Sequence, residues 1–563
     1  LVQGRISGLG EMKAIGKWIC VISLGILTAI SIITPLRAAE TLSVVYGPLK
    51  QSVKITSLER FVETGEVNKE LEFYFNSFSL EQREVFRKIL VQKVPIEPVP
   101  LSHFLNSRIG NDVLERFGRI ITLPGGANGK YSLRGSIVEA ALDPEGLTIL
   151  NVLRKFSTDI QINGEALIRV NKSIDLFFQS TDEATQNLQN LAKSEATQEK
   201  PVNYAKMPDL AKPGPYKYSQ QTLKFWDKSR KRYFYTIIYR PKVPPKQKIP
   251  VVIVSHGLAS RPEDFSSVAT TLASYGFLVA LPQHLGSDLK QAKALLEGYT
   301  SQMFDGQEFI NRPKDISFVI NELELRNQRE YQGRLNLKQV GVIGHSYGGY
   351  TALAVGGAQI DFENLQKNCD QFNYVNLSLL VQCRALDLKR QNYQFRDPRV
   401  RAIMARNPLD SSIFGQRGLE QIAIPTFLLA GSYDLATPVV FEQMFSFPWL
   451  TKAPASYLGL IEGQAHVDFS QLDAGVTSLV NSLFNLNLPS PELINIYSDA
   501  ISVAFFKVYI AGDKKYLPYL QPSYPIYLSR NESFKFSILT KKSQGAVADE
   551  VQKIKDRFAL EQQ

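Results

Sequence analysis

The sequence predicts an α/β fold, a mostly parallel sheet with helices on both faces, preceded by an all-α accessory domain. Three observations carry this expectation. Short, fully apolar runs such as "PVVIVS", "FLVALP" and "QVGVIG" recur without the alternation of a half-solvated strand, as strands buried on both faces do. Between them lie stretches with helical spacing, including "EDFSSVATTLASYG" and "RPKDISFVINELELRN". Strand and helix then alternate along the chain, which is the pattern of a parallel sheet joined by crossover helices. At 563 residues the chain is too long for one core, and two or three domains are expected.

Taken in order, residues 1–39 read as a targeting segment. Met12 and Lys13 open it, Lys17 adds charge, and residues 18–33 form an apolar run. That run is short of the roughly 20 residues of a membrane span and has the length of a signal-peptide core. Ala38 and Ala39 offer small residues for cleavage. Leu36 or Arg37 would stand at the −3 position, so an uncleaved anchor is the alternative.

Residues 40–195 read as helical. In "SLEQREVFRKILVQ", Ser79 and Gln82 stand as a capping box, and Val85, Phe86, Ile89 and Leu90 form one apolar face. "LSHFLNSRIGNDVLERFG" repeats the pattern, with His103 as a surface or interhelix residue. Residues 196–215 turn polar and rich in Pro and Lys, as a linker does. "TLKFWDKSRKRYFYTIIYRP" predicts a hairpin whose basic tip, residues 228–232, is solvated. The α/β domain is expected over residues 216–488. Residues 359–396 break its rhythm and read as a lid-like insertion. Residues 489–563 read as a helical extension and a charged tail.

Composition narrows the function classes. A hydrophobic share of 44% with 21% charged residues is that of a globular chain. The net charge of +10 is modest for the length, and no basic block is interleaved with aromatics, so nucleic-acid binding is not expected. Peripheral contact with an anionic membrane surface stays open. Of three cysteines, Cys20 falls in the targeting segment and leaves Cys369 and Cys383. Two cysteines close in sequence in an exported chain read as a disulfide, with two buried thiols as the alternative. Nearby histidines are lacking, which speaks against a metal site.

The chemistry is expected at "GVIGHSYGGY", residues 341–350. Gly344-His345-Ser346-Tyr347-Gly348 fits G-x-S-x-G, and its context fits too, with an apolar strand before and a helix after. Such a turn strains the serine and exposes its hydroxyl, and the helix that follows aims its positive end at a developing oxyanion. A serine hydroxyl needs a base to act as a nucleophile. In folds with this elbow the chain order is nucleophile, acid, base. Of five histidines, at 103, 256, 284, 345 and 466, only His466 lies downstream of Ser346. Two carboxylates answer for the acid: Asp434, in the turn after "IPTFLLAGS", and Asp410, after "VRAIMARN". Asp434 is preferred because its turn lies closer to the base loop. Two amides answer for the oxyanion hole, those of Tyr347 and of Leu258 after "VVIVSHG". His256 and His284 read as loop-bracing residues.

Together "SHGLAS", "GHSYGG" and "GQAHVDF" resemble the platelet-activating-factor acetylhydrolase-like branch of the α/β-hydrolases over roughly residues 215–510. "NRPKDISFVINEL" and "LPQHLGSD" are similar to bacterial proteins described as dienelactone hydrolases, but Ser346 stands where those enzymes use cysteine. The region before residue 195 resembles a domain of unknown function found before hydrolases in bacterial envelope proteins. The resemblance implies an exported serine esterase acting on short or oxidised acyl esters, on phospholipids among others, in lipid catabolism. No metal or organic cofactor is called for. It also keeps Asp410 open, since acetylhydrolases of this kind often place the acid after the earlier strand. A serine peptidase and a non-catalytic binding module on a hydrolase scaffold are the alternatives from other classes.

Overall fold

The computed structural model describes residues 38–76, 78–371, 373–466 and 488–560. The basic start and apolar run of the expected targeting segment lie outside them. Among the described residues, no helix is long and apolar enough to cross a membrane. The described residues divide into two compact units, one of residues 38–98 with 117–166, the other of residues 99–116 with those from 167 to 560.

The first unit corrects the expectation of an all-α domain. Its helices include Ile55–Thr64, Leu80–Val91 and Lys130–Leu142, and the Ser79–Gln82 capping box is formed. It also holds a four-stranded sheet of β1 (Thr41–Tyr46), β2 (Leu49–Lys54), β3 (Ile121–Thr122) and β4 (Ile160–Asn163), in the order β2-β1-β4-β3. The strands are two to six residues long, and β1 meets its parallel partner only across more than a hundred residues, Leu42 opposite Ile160. No local periodicity reports such a pairing. Phe61, Leu71, Phe75 and Leu90 centre the helical side of the core.

The second unit is built on a nine-stranded sheet. Its strands are β5 (Tyr218–Asp227), β6 (Arg232–Pro241), β7 (Ile249–Ser255), β8 (Leu278–Pro282), β9 (Leu335–His345), β10 (Val400–Arg406), β11 (Thr426–Gly431), β12 (Ser456–Ile461) and β13 (Phe536–Thr540). Their order is β13-β12-β11-β10-β9-β7-β8-β6-β5. The strands from β8 through β7, β9, β10 and β11 to β12 run parallel, and the pairs at both edges are antiparallel. Both faces are covered. Along β7, Val251 and Ile253 enter one core with the helices Glu308–Tyr331 and Tyr347–Gly356, while Val252 and Val254 enter the other with Ser266–Ser274 and Pro491–Tyr509. That alternation puts apolar side chains on both faces, which is why the strand runs read as unpatterned.

Three expected boundaries change. The helix Gly164–Thr197 ends close to the expected residue 195, but from residue 167 it belongs to the second unit rather than to the N-terminal one. The expected linker 196–215 is packed rather than loose, with Tyr204 and Leu210 buried in the second core. Residues 489–563 are not an appended extension and tail: Pro491–Tyr509 covers the sheet and β13 pairs with β12, Leu458 opposite Leu539. The five-residue "FSILT" needs that neighbour to be a strand. The expected insertion holds the helices Phe362–Asp370 and Leu379–Gln382, stapled by the Cys369–Cys383 disulfide.

Strand order places the site. The chain leaves β7 for β8 on one side, while β9 is followed by β10 on the other. The carboxyl ends of β7 and β9 therefore flank the topological switch point, where open α/β sheets take their ligands. The loop bearing Leu258 leaves β7, and Ser346 follows β9 directly.

Candidate active site

Ser346 occupies the turn between β9 and the helix Tyr347–Gly356 at φ 57° and ψ −120°, a left-handed setting that L residues rarely adopt. The two flanking glycines are there for space. A Cβ on Gly344 would stand 1.9 Å from the Gly348 carbonyl oxygen, and one on Gly348 would stand 2.0 Å from that of Ser255. The elbow can close only with hydrogen at both positions.

The structure brings Ser346, His466 and Asp434 together. Ser346 Oγ lies 2.8 Å from His466 Nε2, and His466 Nδ1 lies 2.7 Å from Asp434 Oδ2. Asp434 is buried after β11, and its carboxylate is held from several sides. Its Oδ1 accepts from the amides of Ala436 at 2.9 Å and Thr437 at 2.8 Å. Its Oδ2 also accepts from Asn407 Nδ2 at 2.6 Å and from the Thr437 hydroxyl at 2.7 Å. Burial pushes the Asp434 carboxyl up, but the adjacent His466 and these donors outweigh it and hold the group below its ordinary value. A hydroxyl, an imidazole and an ionised carboxylate in one hydrogen-bonded chain can draw the proton from the hydroxyl and stabilise the imidazolium that results.

Asp410 lies elsewhere. It is fully buried after β10, against Glu442 rather than His466. Glu442 Oε2 accepts from the amides of Asp410 at 2.9 Å and Ser411 at 3.0 Å. Burial first, and then the Glu442 carboxylate, push the Asp410 carboxyl well above its ordinary value. Glu442 Oε1 accepts from Ser378 and Gln382, so Glu442 ties the insertion to the turn that bears Asp410.

The oxyanion candidates lie beside the serine. A Cβ on Gly257 would stand 3.4 Å from Ser346 Cβ, which sets the loop before Leu258 against the nucleophile. Among the described residues the Leu258 amide has no acceptor. The Tyr347 amide is the first of its helix, where no intrahelical acceptor exists. His256 and His284 brace the loops: His256 Nε2 accepts from the His284 amide at 3.0 Å, and His284 Nε2 meets Ser255 Oγ at 2.8 Å. His345 packs its ring 4.8 Å from that of His466, and burial lowers its pKa to about 3, so it stays neutral.

Three residues beside the site carried no role in the sequence reading. Asn407 adopts φ 46° at the end of β10, and the signal for it was an Asn-Pro dipeptide closing a buried strand. Thr437 follows Asp434 by three, the spacing of a side-chain-capped turn. Arg312 stands in the apolar stripe of the helix Glu308–Tyr331, three residues after Phe309 and four before Ile316. A cation on a buried stripe must have buried partners. The basic tip expected to be solvated is likewise half buried: Arg230 and Arg232 bind Asp315 at 2.7 and 3.0 Å, and Arg232 binds Glu308 at 2.8 Å.

Comparison with known families agrees with this fold. A family described as "alpha/beta hydrolase of unknown function" matches residues 38–163. A second, described as "platelet-activating factor acetylhydrolase, isoform II", matches residues 236–297. The first match falls on the N-terminal region, which holds none of Ser346, Asp434 and His466. The second spans β6 to β8 and the Leu258 loop. No curated protein matches the chain. The fold is that of an α/β-hydrolase, with a mostly parallel nine-stranded sheet. The chain resembles the platelet-activating-factor acetylhydrolases and is a hydrolase by these matches.

Proposed function

We propose that the chain is an exported serine esterase that cleaves short or oxidised acyl esters, phospholipid esters among them, through an acyl-enzyme. The observation that carries this reading is the 2.8 Å approach of His466 Nε2 to Ser346 Oγ on a strained elbow. Ser346 Oγ adds to the ester carbonyl while His466 takes its proton. The carbonyl oxygen becomes an oxyanion facing the Leu258 and Tyr347 amides. The intermediate collapses, the alcohol leaves with the proton from His466, and water repeats the sequence to release the acid. Asp434 holds the imidazole in the productive tautomer and does not itself take the proton. The acyl class comes from the resemblance to acetylhydrolases, and the Cys369–Cys383 disulfide supports an oxidising compartment.

The test is labelling with a fluorophosphonate probe, followed by turnover of p-nitrophenyl esters from acetate to dodecanoate. The expected result is a labelled wild type with highest turnover on the shortest chains, and an unlabelled Ser346→Ala. Loss of a nucleophile of this kind costs on the order of 10⁶ in turnover. A wild type that is neither labelled nor active would overturn the reading, and full activity in Ser346→Ala would overturn the mechanism.

A further inference from the structure

Arg312 is wholly buried, yet among the described residues it pairs with no carboxylate; the nearby Asp315 and Glu308 are taken by Arg230 and Arg232. Its donors go to backbone and hydroxyl oxygens of two loops. Nη1 donates to the His256 carbonyl at 2.6 Å and Nη2 to the Gly257 carbonyl at 3.1 Å. Nη2 also reaches the Ser287 carbonyl at 3.3 Å, and Nε donates to Ser287 Oγ at 2.9 Å. The guanidinium lies over Tyr347, its central carbon 4.3 Å from the ring centroid. Burial lowers its pKa to about 10, which leaves it cationic at neutral pH.

These contacts bear on both oxyanion donors. Among the described residues there is no cis peptide bond, and a trans peptide holds its carbonyl and its N–H on opposite sides. When Arg312 holds the Gly257 carbonyl, the Leu258 N–H of the same peptide plane is turned away from the guanidinium. Holding the His256 carbonyl fixes the preceding plane in the same way. The second donor is the amide of Tyr347, whose ring lies under the same guanidinium. Only a planar fork can bind two successive carbonyls and stack on a ring at once; an ammonium offers a point charge without that geometry.

We propose that Arg312 is a positioning residue for the oxyanion hole, fixing the 256–258 peptide planes and the Tyr347 ring so that the Leu258 and Tyr347 amides meet the oxyanion formed at Ser346. The proposal rests on the serine esterase reading above. Removing one preorganised donor from such a hole costs about 10²- to 10³-fold in kcat, and a donor left loose rather than removed costs less, about 10- to 100-fold.

The test compares wild type, Arg312→Met, Arg312→Lys and Ser287→Ala on p-nitrophenyl butyrate and on an alkyl trifluoromethyl ketone. Ser346 Oγ adds to that ketone, its proton passes to His466, and the carbonyl electron pair becomes an oxyanion in the hole. Its inhibition constant therefore reads the hole directly. Arg312→Met is expected to lower kcat about 10- to 100-fold with KM nearly unchanged, and to raise the ketone's inhibition constant by the same factor. Arg312→Lys should fall between it and wild type, and Ser287→Ala should show a few-fold loss of the same kind. A folded Arg312→Met with wild-type kcat, or a kcat loss that the ketone does not follow, overturns the proposal. If Arg312→Met does not fold, the other two variants decide, and unchanged ketone inhibition in both overturns it. A wild type without turnover or fluorophosphonate labelling fails the esterase reading and this proposal with it. An active wild type matched by Arg312→Met fails this proposal alone.

Discussion

Asp410 and Asp434 follow neighbouring parallel strands, β10 and β11, and are equally buried, at 0% and 1% exposure. They have the same side chain and opposite electrostatics. Asp434 meets a histidine, an amide side chain, a hydroxyl and two backbone N–H groups, and it is held below its ordinary pKa. Asp410 meets Glu442 and is pushed well above its ordinary pKa. Burial acts on both in the same direction. The donors decide whether a buried carboxyl is an anion that can orient an imidazole or an acid that keeps its proton. Depth in the sheet is therefore no guide to function; the partner set is.

The sharpest break of this comparison is to remove each charge in turn. Under the proposed mechanism, Asp434→Asn presents an amide to His466 and strands the wrong tautomer, and an equivalent change in an unrelated serine hydrolase lowered turnover about 10⁴-fold. Steady-state kinetics on p-nitrophenyl butyrate should show a loss of that order. Asp410→Asn should stay within a few-fold of wild type in the same assay. Reversal of the two results would assign the acid role to Asp410.

A second measurement separates the pair by stability. Asp434 titrates lower in the folded chain than in the unfolded one. Its contribution is present above the unfolded pKa of about 3.9 and is lost as pH falls through the folded value. Asp410 titrates higher when folded, so its contribution is full below about 3.9 and is lost as pH rises from there toward the folded value. Urea midpoints should then move in opposite senses. At pH 8 Asp434→Asn should be less stable than wild type, and the gap should close toward pH 3.5. Asp410→Asn should match or exceed wild type at pH 8, by on the order of 1 kcal/mol, because the amide can donate to Glu442 without a second charge. That advantage should shrink toward pH 4. Parallel pH profiles in the two variants would show that the partner sets do not set the charges.

The smallest expected effect concerns the insertion that Glu442 anchors. Replacing Cys369 and Cys383 with Ser opens a loop of 14-residue separation, and the chain-entropy model puts its stabilisation near 3 kcal/mol as an upper figure. Because Ser378 and Gln382 remain tied to Glu442, the urea midpoint should fall while kcat on p-nitrophenyl butyrate changes less than twofold. A large fall in kcat would couple the Asp410 side of the comparison to the Asp434 side.

The sequence by itself determined the parts that local chemistry governs. The elbow was legible because strand, glycine spacing, serine and helix are all contained within residues 341–350. His466 stood out by elimination among five histidines, and it lies in one hydrogen-bonded chain with Ser346 and Asp434. The parallel sheet was legible because each buried strand is an apolar run complete in itself. Tertiary structure decided what depends on residues far apart in the chain. Strands β1 and β4 pair across more than a hundred residues, and β13 becomes a strand only beside β12. Glu442 lies 32 residues beyond Asp410, and Asn407 lies 27 before Asp434. Arg312 reaches carbonyls 55 and 56 residues upstream. A residue's type fixes which hydrogen bonds and charges it can offer, but folding alone decides which partners receive them, and for buried polar groups the partners set both charge and role.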